Sequence, residues 1–446
     1  MKKYLITLLA VFSSIAVNAQ IGSEMGFILD VPYNHAYSTP LVRSMNDTVI
    51  VAYYEHDYHG VFVVLQNNSL QADTIELNHH QYVYDFEILG NSVFFCGKTI
   101  DISDLYHTEE HALVGWFSLA SLLGGGTNVT ISYNEFDVAG RDHNRLKKMI
   151  VYKDSQNLKK IMAIGESFLC NTPNQPCHSG IDFFASIDAS YGFISELFPF
   201  SNEVYHDIIE TDNYVVLVGG DFGISASNSI CFRKIMKYNI QSVERDYLYK
   251  VDIPHIEPST FIYGTQIGGN RFITSTFGYI NGKEGTIIRT YNASNMGMMA
   301  AQFIPSPGEK TQPYELTYVQ ETQKVLLLQL STNNPSTRIY TIDPYPTQNY
   351  STIWEYHPNW HLHSFDMYRN DEYIVMGTTG QTPAFYARNI LYNNPNCVNQ
   401  NTVNVEKIDK FEILRLHIPL NMNNPIPNND SYMVISSECN LSVGCN

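Results

Sequence analysis

HDIIETDNYVVLVGG, residues 206–220, carries a short arm with Ile208 and Ile209 between polar residues, turns through Thr-Asp-Asn, resumes as an apolar run and closes on two glycines. A period of two puts alternate side chains on one face, so each arm predicts a strand and the Asp-Asn between them a tight turn. The unit recurs as PLVRSMNDTVIVAYY (40–54), YDFEILGNSVFFCG (84–97), LKKMIVYKDSQNLKKIMAIG (146–165), YGTQIGGNRFITST (263–276), YELTYVQETQKVLLLQL (314–330) and SFDMYRNDEYIVMGT (364–378). Centred on Val51, Phe95, Met162, Leu217, Thr274, Leu327 and Val375, the units stand 44, 67, 55, 57, 53 and 48 residues apart. Such a period belongs to a repeat architecture with four strands per repeat.

The intervals supply the other two strands. Third strands read GVFVVLQ (60–66), LVGWFSLA (113–120) and CFRKIMKY (231–238), and fourth strands read NVTISYNEF (128–136), YLYKVDIP (247–254) and YSTIWEY (350–356). The last repeat has two candidates for its fourth strand. One is the amino-terminal GFILDVP (26–32), which would join the first and last segments in one sheet and remove open edges; the other is FEILRLHIP (411–419). The amino-terminal strand is favoured.

Together the pattern resembles a seven-bladed β-propeller of four-stranded blades, an all-β fold. It lacks the Gly-His and Trp-Asp marks of WD repeats, so the resemblance is one of architecture. It implies a propeller over 20–391, a signal peptide over 1–19 and an Asn- and Pro-rich extension over 392–446, with a strand for blade seven as its alternative role.

Composition agrees. At 446 residues, 44% hydrophobic and only 16% charged, the chain has enough apolar surface to offset the entropy of ordering. Lys2 and Lys3 precede an apolar run from Tyr4 to Val17, and Val17-Asn18-Ala19 fits a cleavage site, which predicts a secreted or periplasmic protein beginning at Gln20. The run is too short to span a bilayer, so no membrane insertion is expected. Net charge is −17, and loss of the two lysines makes it −19, which argues against a nucleic-acid partner.

Seven cysteines suit an oxidising compartment without requiring one. Cys170 and Cys177 close the short loop CNTPNQPC and are the expected disulfide. Cys397, Cys439 and Cys445 leave one further bridge open, and Cys96 and Cys231 read as buried thiols.

In a propeller, the loops between strands two and three and between blades open on one face. His35, His79, His80, His143, His206, His255, His357, His361 and His363 fall in blade-to-blade connections, and His56, His59, His107, His111 and His178 in strand two-to-three loops. Only His417 falls elsewhere. Imidazoles gathered on one face offer hydrogen bonds, metal ligands or a charge that switches near neutrality. The plainer account is that histidine collects in longer loops.

Within that face, His107-Thr-Glu-Glu110-His111 matches HxxEH, which on a helix would aim both imidazoles at a divalent metal such as Zn with the glutamate as base. The segment is expected in a loop, where one helical turn is conceivable. No cofactor is otherwise predicted. Trp354-Glu-Tyr356-His357-Pro-Asn-Trp360-His361-Leu-His363 joins two of the three tryptophans with three histidines. Alternation would point His361 and His363 the same way, and Tyr356, His357, Trp360, His361 and His363 are the candidate ligand-binding residues, suited to stacking on a sugar or a peptide. Asp85, Asp207 and Asp366 sit on first strands, where carboxylates either do acid/base work or anchor backbone amides.

The reading is a secreted propeller that binds a carbohydrate or protein ligand on its histidine-rich face. A metal-dependent hydrolase or lyase and a structural scaffold are its rivals.

Overall fold

The computed structural model describes residues 26–28, 39–45, 49–56, 58–66, 72–104, 107–126, 128–138, 140–154, 156–169, 178–188, 193–199, 203–221, 229–237, 247–252, 261–280, 282–306, 311–331, 337–346, 350–356, 360–369, 372–379, 382–388, 398–407, 418–419 and 435–442, some by backbone alone. The expected signal segment, Cys170 and Cys177 lie outside the described residues, as do His35, His255, His357 and His417.

After β1 (Gly26–Ile28), the strands β2 (Leu41–Met45), β3 (Val49–His56), β4 (His59–Gln66) and β5 (Ala72–His79) pair consecutively as one antiparallel sheet. β6 (Gln81–Leu89), β7 (Ser92–Asp104), β8 (His107–Ser118) and β9 (Asn128–Phe136) repeat the pattern, with one helical turn, α1 (Ala120–Leu123), before β9. β10 (His143–Lys153), β11 (Lys159–Leu169), β12 (His178–Asp188) and β13 (Phe193–Pro199) follow, and a single parallel pair, His143 with Glu110, joins these two groups. The next groups are β14 (Glu203–Glu210), β15 (Tyr214–Asp221), β16 (Ser229–Met236) and β17 (Tyr247–Asp252), then β18 (Ile262–Gln266), β19 (Arg271–Ile280), β20 (Lys283–Asn292) and β21 (Gly297–Pro305). β22 (Thr311–Val319), β23 (Lys324–Ser331), β24 (Thr337–Ile342) and β25 (Tyr350–Tyr356) come next, and β26 (Trp360–Arg369), β27 (Glu372–Thr379) and β28 (Thr382–Arg388) end the series. This succession of up-and-down sheets is a β-propeller architecture.

β1 pairs antiparallel with β28, Gly26 opposite Ala387 and Ile28 opposite Phe385. The rival segment FEILRLHIP instead contributes β31 (Ile418–Pro419), which pairs with β17. The extension is built into the sheets. β29 (Val398–Asn404) pairs with β25, β30 (Glu406–Lys407) with β21, and β32 (Ile435–Ser442) with β9, so it adds outer strands in reverse chain order.

The sheets pack face to face, which explains why middle strands are buried on both sides: β19 runs buried from Phe272 to Phe277. Phe62 of one sheet meets Phe86, Phe95 and Phe117 of the next with ring centroids 5.4, 5.5 and 5.2 Å away. Full burial of such a ring is worth about 1.5–3 kcal/mol. Similar apolar layers join Met149, Ile161 and Phe183 to Phe94 and Val114, and join Ile374 and Met376 to Val42 and Ile50. Cys96 is a free, buried thiol, as expected. The first strands β2, β6, β10, β14, β18, β22 and β26 all line one central cavity of ≈340 Å³.

Candidate functional site

Five first strands carry the same irregularity. The register with the second strand slips between Val83 and Asp85, Leu146 and Lys148, Tyr205 and Asp207, Pro313 and Glu315, and Leu362 and Ser364. Each slip is a β-bulge that leaves one residue without a cross-strand partner: Tyr84, Lys147, His206, Tyr314 and His363. A bulge re-aims the side chain it carries. All five of these side chains line a second cavity of ≈280 Å³, where Tyr263 of the unbulged β18 joins them.

The bulges account for the glycines within the second strands. Gly97 stands opposite Val83 and Gly219 opposite Tyr205. A Cβ on Gly97 would collide with the Tyr82 carbonyl oxygen, and one on Gly219 with that of Val204. Only glycine allows the first strand so close.

Around one side of this upper cavity the rings form a stair. Phe261 and Tyr263 are near-parallel at 6.4 Å, Tyr263 and Tyr314 near-parallel at 6.4 Å, and His363 meets Tyr314 edge-on at 6.2 Å. His206 meets Phe261 edge-on at 5.0 Å, and Phe261 is 39% exposed at the mouth. The opposite side is ionic. Arg145 pairs with Glu166 and lies 6.0 Å from the centre of the Tyr84 ring; Lys147 donates to Asp182 at 2.8 Å and stands 3.5 Å from Glu166.

Beneath lies a charged layer. Arg43 reaches Glu315 at 3.0 Å and Asp85 at 3.2 Å, and Lys148 stands 3.8 Å from Asp85. Lys148, Tyr263, Tyr314 and Glu315 line both cavities, which adjoin at these residues. Burial opposes the charge on Arg43 and on Lys148, yet Glu315 and Asp85 among their neighbours hold both pKa values above the ordinary range. Burial, and secondarily Lys147, pushes His206 down to about 3, so its imidazole is neutral at physiological pH. Burial also raises the phenols of Tyr84, Tyr263 and Tyr314, which remain proton donors.

The three channel aspartates anchor amides. Met149 N–H donates to Asp85 at 3.1 Å, Gly264 N–H to Asp207 at 2.7 Å and Ser44 N–H to Asp366 at 2.6 Å. Each bond ties one first strand to the next, and the acid/base alternative loses its free carboxylates. Glu315 does the same for Phe365 at 3.0 Å.

Of the candidates from the sequence, His363 lines the upper cavity. Trp360 and His361 begin β26 opposite Thr379 and Thr378, and Tyr356 ends β25; the backbone alone is described for these three. The bulge at His363 interrupts the alternation that would have aimed His361 and His363 alike. The HxxEH segment departs further from expectation, because it is an extended strand, β8, and not a loop or helical turn. At about 3.3 Å per residue, four positions along a strand separate His107 and His111 by about 13 Å, too far to share an ion. Glu110 binds Lys98 at 2.5 Å, and His111 Nδ1 lies 2.9 Å from Asp137. Among the described residues, no three histidine, cysteine or acidic side chains converge on a metal position.

Tyr84, Arg145, Lys147, Phe261, Tyr263 and Tyr314 escaped notice as site residues, and His206 was seen only as one histidine of a face. A signal existed: Tyr84-Asp85, His206-Asp207 and Tyr314-Glu315 place an aromatic or imidazole ring directly before a carboxylate at the same point of their units.

No family model matches the chain, and no curated relative matches it. Solved structures do. The WD40 domain of Neurospora crassa Pan2 superposes with a TM-score of 0.48 at 9% identity, covering 83% of this chain and 96% of that one. The WD40 domain of Toxoplasma gondii coronin gives 0.44 at 9% over 84% and 86%. The β-propeller domain of the Pyrococcus furiosus Trilobed protease, described as having an open velcro topology, gives 0.46 at 9% over 80% and 95%. At these values the likeness concerns the arrangement of strands alone.

Proposed function

We propose that this chain is an exported seven-bladed β-propeller, its last blade completed by β1, that binds a carbohydrate in the upper cavity. The observation that carries the reading is the repeated bulge, which aims Tyr84, Lys147, His206, Tyr314 and His363 from five separate first strands at one place. The distortion recurs on five of the seven first strands, β2 and β18 keeping a regular register, and each recurrence presents its extra residue to the same cavity. Seven first strands around the central cavity, each preceding its own group, support the blade number. Lys2-Lys3, the apolar run and Val17-Asn18-Ala19 support export.

The chemistry favours sugar over a charged peptide. A pyranose offers apolar C–H faces to the ring stair and hydroxyls that both donate and accept. Arg145 with Glu166 and Lys147 with Asp182 present fixed donors beside fixed acceptors, already neutralised. A charged ligand would have to break one of those pairs in a partly buried site, which is costly.

The test is a glycan array followed by calorimetry on the best binder, with Phe261→Ala and Tyr314→Ala as variants. Loss of affinity by tenfold or more, about 1.4 kcal/mol, is expected from each, and none from Met299→Ala at an exposed site outside the cavity. Unchanged affinity in both cavity variants would remove the site from the reading. A peptide binder with the same sensitivity, and no sugar binder, would replace the ligand class.

A further inference from the structure

We infer that the upper cavity takes the free end of a neutral glycan, one or two sugar residues deep, rather than the interior of a chain; this rests on the carbohydrate reading above. Three observations carry it.

The first is size. At ≈280 Å³ the cavity falls just below the range for small-molecule sites, about 300–1,000 Å³, a size for one or two pyranose rings and no more. An interior segment of a polysaccharide needs a cleft open at both ends, and this cavity is ringed by residues from β2, β6, β10, β14, β18, β22 and β26.

The second is the floor. Lys148, Tyr263, Tyr314 and Glu315 line both cavities where they adjoin, and their charged members are held by others. Glu315 accepts from Arg43 at 3.0 Å and from the Phe365 amide at 3.0 Å; Asp85, beside Lys148, accepts from Arg43 at 3.2 Å and from the Met149 amide at 3.1 Å. Threading a chain through to the deeper cavity would separate these buried charges, so the glycan meets a stop.

The third is charge class. Three cations and two carboxylates line the upper cavity, and Arg145 and Lys147 share Glu166. Each of the three cations already faces a carboxylate, Arg145 facing Glu166, Lys147 facing Asp182 and Lys148 facing Asp85, so a uronic acid or sulfate would compete with a pair already formed, whereas the paired groups serve hydroxyls of either sense. His206, held neutral at physiological pH by burial, adds no charge.

The experiment measures calorimetric affinities for methyl glycosides of glucose, galactose, mannose and N-acetylglucosamine, their linear oligomers of two to six units, and the matching uronic acids. Affinity that levels off at two units, falls tenfold or more when the terminal residue is O-methylated, and is at least tenfold weaker for the uronic acids is expected. Phe261→Ala, which removes an exposed ring, tests that binding occurs in this cavity and should weaken the dimer tenfold while circular dichroism stays unchanged. Affinity that keeps rising from two to six units, or that tolerates the blocked end, overturns end-on binding and leaves the carbohydrate reading standing. Tighter binding of the uronic acids overturns the neutral class. Failure of every sugar overturns both readings together.

Discussion

Arg289 is the residue whose surroundings least suit it. It lies on β20, 1% exposed, on the same face as Tyr291 and Thr274, and neither terminal guanidinium nitrogen has a hydrogen-bond partner among the described residues. Burial accordingly lowers its pKa. A buried cation without a counter-charge costs more than an apolar side chain of similar length, so Arg289→Met is expected to raise stability by about 1–4 kcal/mol in chemical denaturation; a loss would mean that Arg289 has an anion to bind. Asp207 makes an opposite case, a buried acid that is well bonded. Burial raises it to about 6, although Lys148 and the Gly264 and Ile208 amides pull the other way. The folded state therefore keeps a proton that the unfolded chain releases near pH 4, and this contribution, complete below pH 4, is lost as pH rises through 6. Next door, His206 titrates near 3 when folded and near 6.5 when unfolded, so it favours the folded state more as pH rises to 6.5. Asp207→Asn removes only the first slope and can still accept from Gly264. Between pH 4 and 6 its stability should gain on the parent by about 2 kcal/mol, and parallel pH profiles would contradict the assignment. The amide-anchoring role of Asp85, Asp207 and Asp366 was legible in the sequence, since carboxylates on inner strands have few other partners. The aim of Tyr84 and Tyr314 was not, because period-two alternation assigns them a side that the bulge then changes.

At the level of the element, bulge and glycine form a unit. The sequence displays the glycine, as Gly97, Gly165, Gly219 and Gly377 follow the apolar runs of their second strands, but not the reason for it. The reason is register: these four stand opposite Val83, Leu146, Tyr205 and Leu362, each the last paired residue before a slip. Gly219→Ala should therefore do more than overfill a gap. Its Cβ and the Val204 carbonyl oxygen cannot coexist, so β14 must move away, withdrawing His206 from the cavity. The expected cost is about 1–3 kcal/mol, as for overpacking, accompanied by weakened ligand binding in the protein that still folds. A variant that loses stability but binds normally would separate the bulge from the site. The HxxEH segment shows the converse limit of reading by motif. Its spacing carries metal chemistry only on a helix, and in β8 it serves a strand whose residues Glu110 and His111 hold Lys98 and Asp137.

For the whole molecule, the strand series was legible because each unit is local: a hairpin of some fifteen residues declares itself by alternation and by its turn. The outer strands of the extension were not, because β30 and β31 pair through two residues each, too few for any periodicity. Their effect is nevertheless on the entire fold. By pairing with β25, β21, β17 and β9, the segment covers the outer edges of sheets that would otherwise present rows of free N–H and C=O groups. Exposed edges are templates for pairing with another chain. Truncation after residue 397 removes those strands and none of the first strands, so the amide anchors, the charged layer and the upper cavity keep all their residues. The truncated protein should bind the same ligand with affinity within a few fold of the parent. It should also unfold at lower temperature and form larger species with rising concentration in light scattering. If the truncated chain is as monodisperse and as stable as the parent, the outer strands contribute nothing to the propeller; if it loses the ligand while remaining folded, the extension belongs to the binding site.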